Sequence, residues 1–199
     1  MPRAEDATLV VPDADAFRDW LEANHDASAG VWLVLAKKGT TEPTRLTYAQ
    51  ALDEALCQGW IDGQKRSGDD VTFLQRFSPR RRASRWSKRN VGLANGLIEA
   101  GRMRPAGLAT IDEAKADGRW EAAYSGASAA TVPADLAAAL KANPAAAEMF
   151  ASLDGTNRYA VLYRVDSAKR PETRARRIEQ FVDMLARGET IHPRRSPRS

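Results

Sequence analysis

Hydrophobic positions along the chain change period several times, and each change marks an element. After a loose lead-in over residues 1–12, with a short strand near Thr8–Val11, Phe17, Trp20 and Leu21 fall at helical spacing behind Asp13. Asp13 is a side chain suited to capping, so a helix is predicted to about Asn24. Val31-Trp-Leu-Val-Leu-Ala36 is apolar at successive positions and reads as a strand buried on both faces. Thr47-Tyr-Ala-Gln50 fits a capping box ahead of Leu52, Ala55 and Leu56, with Gly59 as the helix stop. Trp60–Arg66 and Val71–Phe77 read as two strands joined by the turn Ser67-Gly-Asp-Asp70. That hairpin puts Val71, Phe73 and Phe77 on one face, and Thr72, Leu74 and Arg76 on the other.

From about residue 87 the period is helical. Val91, Ala94, Leu97 and Ile98 define one helix ended by Gly101, and Pro105 opens the next, with Leu108 and Ile111 inward and an end near Gly118. Ser125–Pro133, rich in small residues, reads as a linker. Four short helices follow. They carry Leu136 and Leu140, then Met149 and Phe150 behind Asn143-Pro144, then Tyr159, Leu162 and Tyr163 behind Asp154, and last Ala175, Ile178, Phe181, Val182 and Leu185. The predicted fold is therefore α+β and predominantly helical. A small antiparallel sheet of at least three strands packs with helices over residues 13–124, a helical module over 133–190 docks on it, and 191–199 form a disordered basic tail.

Composition changes this picture little. Hydrophobic content of 43%, charged content of 28% and a net charge of +4 are ordinary for a globular protein and permit an acidic partner without requiring one. A single cysteine, Cys57, excludes an internal disulfide and points to a reducing compartment. The N-terminus shows no apolar signal core, and the run from Val31 to Ala36 is too short to cross a bilayer. A cytoplasmic protein with no membrane insertion is expected.

The distribution of charge is more telling. Seven of the fourteen residues from Arg76 to Arg89 are basic and none is acidic. This stretch joins the second hairpin strand to a helix that Ser84 or Ser87 would cap. A helix N-terminus exposes unpaired amides and the positive end of the dipole, so it favours anions. Arg80, Arg81, Arg82, Arg85, Lys88 and Arg89 would form a cationic collar, with Arg76 delivered by the strand, Trp86 could stack on a base or pack on an arginine, and Ser87 and Asn90 would border the helix start. The plainer reading has these arginines paired with acids elsewhere and Trp86 in the core. The expected partner is an anionic small molecule or a nucleic-acid backbone. A protein docking on the basic face is the other possibility.

Asp62 lies at the start of the first hairpin strand. It either orients Arg76 or acts as a base, with Arg76, Arg80 and Ser87 around a small pocket, or simply holds a turn or bulge beside Gly63. Trp60 reads as core. Cys57 reads as a buried thiol with no base nearby, and His25 and His192 are too far apart in sequence to suggest a metal site. Lys169–Arg177 is a second basic cluster, either a solvated helix face or an extension of the first patch along a nucleic-acid backbone. There is no Gly-rich phosphate loop, dinucleotide fingerprint, helix-turn-helix spacing or RNA-binding aromatic motif, so no cofactor is predicted and no catalytic residue is assigned.

Several blocks together resemble one family. They are Val31–Lys38, Ala51–Gly63, Arg76-Phe-Ser-Pro-Arg80, Trp86-Ser-Lys-Arg-Asn90, Leu97–Met103, Pro105-Ala-Gly107 and Ala168–Ile178. The chain is similar to the YdeI/OmpD-associated, or bacteriocin-protection, family over roughly residues 15 to 190. The resemblance implies a bacterial stress- or antimicrobial-tolerance protein and brings no catalytic residues.

Overall fold

The computed structural model describes residues 7–127 and 129–193. Of the basic tail expected at 191–199, residues 194–199 lie outside the described residues, whereas 191–193 are described and Ile191 packs on the core of the C-terminal helices. The chain divides into two units, residues 1–123 and 124–199.

In the first unit the apolar run forms the inner strand of a four-stranded sheet. β1 (Thr8–Leu9), β2 (Val31–Ala36), β4 (Thr72–Pro79) and β3 (Trp60–Ser67) lie side by side in that order. Every residue of β2 is buried, as its unbroken apolarity requires. β3 and β4 are the predicted hairpin. Asp69 closes its turn, accepting hydrogen bonds at Oδ1 from the amides of Val71 (3.0 Å) and Thr72 (2.6 Å). The sheet is mixed rather than wholly antiparallel. β1 pairs in parallel with β2, because α1 (Ala14–Asn24) carries the chain back between them.

On one sheet face Leu33, Leu35 and Phe77 meet Phe17 and Leu21 of α1 and Leu52, Ala55 and Leu56 of α2 (Tyr48–Cys57) in a single core. α3 (Lys88–Glu99) and α4 (Pro105–Ala116) extend that core through Ala94, Leu97, Ile111 and Ala114. Asp13 and Ser87 cap their helices, and Thr47 with Gln50 completes the capping box. Trp60 is buried, with its indole N–H donating to the carbonyl of His25 (3.1 Å).

The second unit is helical: α5 (Ala134–Lys141), α6 (Pro144–Ala151), α7 (Gly155–Asp166) and α8 (Pro171–Ala186). Its own core joins Leu136, Leu140, Phe150, Val161, Ile178 and Leu185. Asn143 and Asp154 cap α6 and α7. Ile191 packs on this core, and the backbone of His192 is held by Asn157 (2.9 and 3.2 Å).

Candidate functional site

The basic junction is built by the end of β4 and the start of α3. The Arg80 amide donates to the Gly59 carbonyl (3.0 Å), tying the strand end to the turn after α2. The chain then turns on itself. The Ser84 amide donates to the Arg81 carbonyl (2.8 Å), and Ser84 Oγ accepts from the Arg81 amide (3.1 Å). Ser84 therefore belongs to the turn. Ser87 is the helix cap, its Oγ accepting from the amide of Asn90 (3.1 Å), itself a buried residue.

Between these two serines, Trp86 is turned inward, only 1% exposed. Its ring meets Trp120 edge-on at 4.8 Å. The Arg80 guanidinium lies on the Trp86 ring at 3.6 Å and donates from Nη1 to the Arg85 carbonyl (3.3 Å). Arg119 closes the group, donating from Nη1 to the Ser84 carbonyl (3.0 Å) and from Nε to Asp117 (2.7 Å). Two donors here are buried without a hydrogen-bond partner among the described residues: the indole Nε1 of Trp86 and Nη2 of Arg119. Leaving such a group unmet costs about 1–3 kcal/mol, so buried donors normally face an acceptor.

The other expected residues are distributed differently. Arg82 and Lys88 are exposed. Asp62 and Arg76 do not share a pocket, because a β-bulge separates them. Near the turn Lys65 pairs with Gln75 and Ser67 with Phe73, a register that would set Asp62 on the face of Arg76. A shift between Asp62 and Lys65 instead places Asp62 opposite Phe77, on the core face, while Arg76 pairs with Trp32 and faces the other way. Asp62 accepts from the hydroxyl of Tyr48 (2.8 Å), and Arg89 Nη1 lies 3.5 Å from that hydroxyl. Burial, and then the charge of Asp62, raise the Tyr48 pKa and keep the phenol a donor. On the opposite face Arg66 covers the Trp32 ring at 3.9 Å, and Gly30 leaves room for the Arg76 guanidinium.

Arg119, Trp120 and Tyr48 contribute to these arrangements from distant turns of the chain, with no cue in sequence that ties them to the junction, whereas Arg89 belongs to the basic stretch itself. The second basic cluster serves its own unit. Arg174 holds Asp135 with two hydrogen bonds (2.5 and 2.9 Å), and Arg177 donates to the Arg164 carbonyl and Ser167 Oγ at the end of α7. Cys57 is buried, and burial pushes its thiol pKa up to about 11, the state of an inert thiol.

The fold and site thus define a two-unit protein: an α+β unit with a cationic strand-to-helix junction, and a helical unit. Residues 9–110, more than half of the chain, match the model of a family described as a domain of unknown function (DUF8412), and the chain belongs to that family. Residues 129–188 match the model of the family described as Bacteriocin-protection, YdeI or OmpD-Associated. That second match covers the C-terminal helices, a shorter span than the expected 15 to 190. The blocks from Val31 to Gly107 fall within the first match. No curated protein and no solved structure matches the chain.

Proposed function

We propose that the chain binds a compact, phosphate-bearing anion at the junction of β4 and α3, in the service of bacterial stress or antimicrobial tolerance. The carrying observation is the pair of buried, unmatched donors, Trp86 Nε1 and Arg119 Nη2, beside the Ser87-capped helix start. Arg80, Arg82, Arg85 and Lys88 supply cationic surroundings, and the donors supply directed hydrogen bonds. The tolerance role rests on the name of the C-terminal family model. No described helix is long and apolar enough to cross a membrane. The lone, buried Cys57 supports a reducing, cytoplasmic setting. The register works against the enzyme reading, since it sends Asp62 and Arg76 to opposite faces of the sheet.

A thermal-shift series with inorganic phosphate, phosphate monoesters, nucleotides and oligonucleotides at low and moderate salt tests this reading. A ligand at 100 times its Kd adds about 2.7 kcal/mol, or about 5–10 °C of Tm for a chain of this size. A compact anion should give that rise with a shallow salt dependence, whereas a nucleic-acid backbone would show a steep one. The idea is to be dropped if no anion raises Tm and if Arg80→Ala and Arg85→Ala change only the stability of the free chain.

A further inference from the structure

We infer that the second unit carries a docking groove for a basic amphipathic helix. α5 and α8 leave between them an open cavity of about 570 Å³. Its α8 wall runs from Pro171 to Asp183 along a single stripe at positions three and four apart, about 18 Å at 1.5 Å per residue. The floor is apolar, made by Ala139, Ala175, Ile178 and Val182. Alanines on both walls, Ala175 exposed among them, let a third backbone come close, and the largely buried Ile178 and Val182 close the floor beneath it. A groove of this length, with an apolar floor, suits a helix that presents apolar residues at i, i+3, i+4 and i+7.

Charge selects the occupant. Asp135 and Arg174 cancel each other at one end of the groove. At the other end Glu179 and Asp183 are exposed, one helical turn apart, and neither is in an ion pair among the described residues. Arg187, the next cation along the helix, is held by both carboxylate oxygens of Glu189 (3.0 Å each). Like charges at i and i+4 destabilise a helix by a few tenths of a kcal/mol, and the cation in the field of Asp183, Arg187, gives its hydrogen bonds to Glu189. This end is an acidic rim on a chain whose net charge is +4. Lysines or arginines flanking an apolar helical stripe complement it. A second copy of the chain is the competing occupant, and sedimentation separates it from a basic helix.

The probe is a fluorescent, amidated peptide of about 12 residues, the length that spans the groove, with a leucine stripe and lysines elsewhere. Its control carries glutamate in place of lysine. Anisotropy titrations of the full chain should show the lysine peptide binding and the glutamate peptide not binding. Glu179→Lys with Asp183→Lys should weaken the lysine peptide about tenfold or more, and Glu179→Gln with Asp183→Asn should weaken it less. Ala175→Trp, which fills the groove from an exposed position, should abolish binding while far-UV circular dichroism stays unchanged. Three results would each overturn the inference: absent binding or equal binding of the two peptides, binding indifferent to all three variants, or self-association in sedimentation that Ala175→Trp disrupts.

Discussion

Glu54 sits inside the first core, 3% exposed, and accepts three hydrogen bonds: two from Arg18 (3.0 Å each) and one from Arg102 (2.6 Å). The hydrogen bonds that Arg18 donates to Glu54, aided by the charges of Glu54 and Asp15, also raise the Arg18 pKa. Removing the acid strands two guanidiniums in a partly buried place. Glu54→Ala is therefore expected to cost about 3 kcal/mol, the low end for a broken buried pair because the arginines keep some exposure. Urea denaturation measures it, and a loss below about 1 kcal/mol, the range of exposed pairs, would contradict the assignment. Cys57 makes a second residue-scale prediction. Its pKa is raised by burial, so the folded state keeps the proton while the unfolded state loses it. The associated stability is present below about pH 9, near the ordinary thiol pKa, and is lost as pH climbs toward about 11. A thiol reagent at pH 8 should leave the native chain unmodified and label it fully in denaturant. Rapid labelling of the native chain would show an accessible thiol. The sequence makes Cys57 and Trp60 legible as core because they sit in apolar helical and strand contexts. It hides Glu54, whose charge reads as solvent-facing until Arg18 and Arg102 are brought to it from either side.

Elements whose signals are local read well from sequence. Asp13, Thr47, Ser87, Asn143 and Asp154 each cap the helix that follows, through side-chain oxygens accepting from amides three residues on. What could not be read is non-local. The parallel pairing of β1 depends on a two-residue strand reaching β2, and the bulge after Asp62 depends on where two strands slip. Since one slip inverts the facing of every residue beyond it, a single backbone irregularity sets Asp62 and Arg76 on opposite faces. Helix packing gives a paired test. A methyl on Gly107 of α4 would collide with the Cys57 carbonyl at the end of α2, whereas one on Gly92 of α3 meets nothing within 4 Å. Gly107→Ala should destabilise by about 1–3 kcal/mol, and Gly92→Ala should stabilise by about 0.5–1 kcal/mol. Thermal melts of the two variants shifting in the same direction would refute this packing.

Across the whole molecule, the two hydrophobic clusters share no residue, one lying within 9–123 and the other within 130–191. Residues 124–199 expressed alone should therefore give a helical spectrum and a cooperative melt, and a non-cooperative, molten chain would show that this core is insufficient by itself. The basic junction was legible as a cationic helix start because seven basic residues crowd fourteen positions. Its inner wall was not, since Arg119 and Trp120 join it only through the fold. The central claim is that the unmatched indole N–H of Trp86 receives an anion. Among the five tryptophans, the Trp86 indole signal can be assigned in a proton–nitrogen correlation spectrum by its loss in Trp86→Phe. Titrating inorganic phosphate at low salt should move that signal downfield to saturation, and Trp86→Phe should bind phosphate more weakly while melting no lower than the parent chain. A Trp86 signal that stays in place throughout the titration would contradict the account.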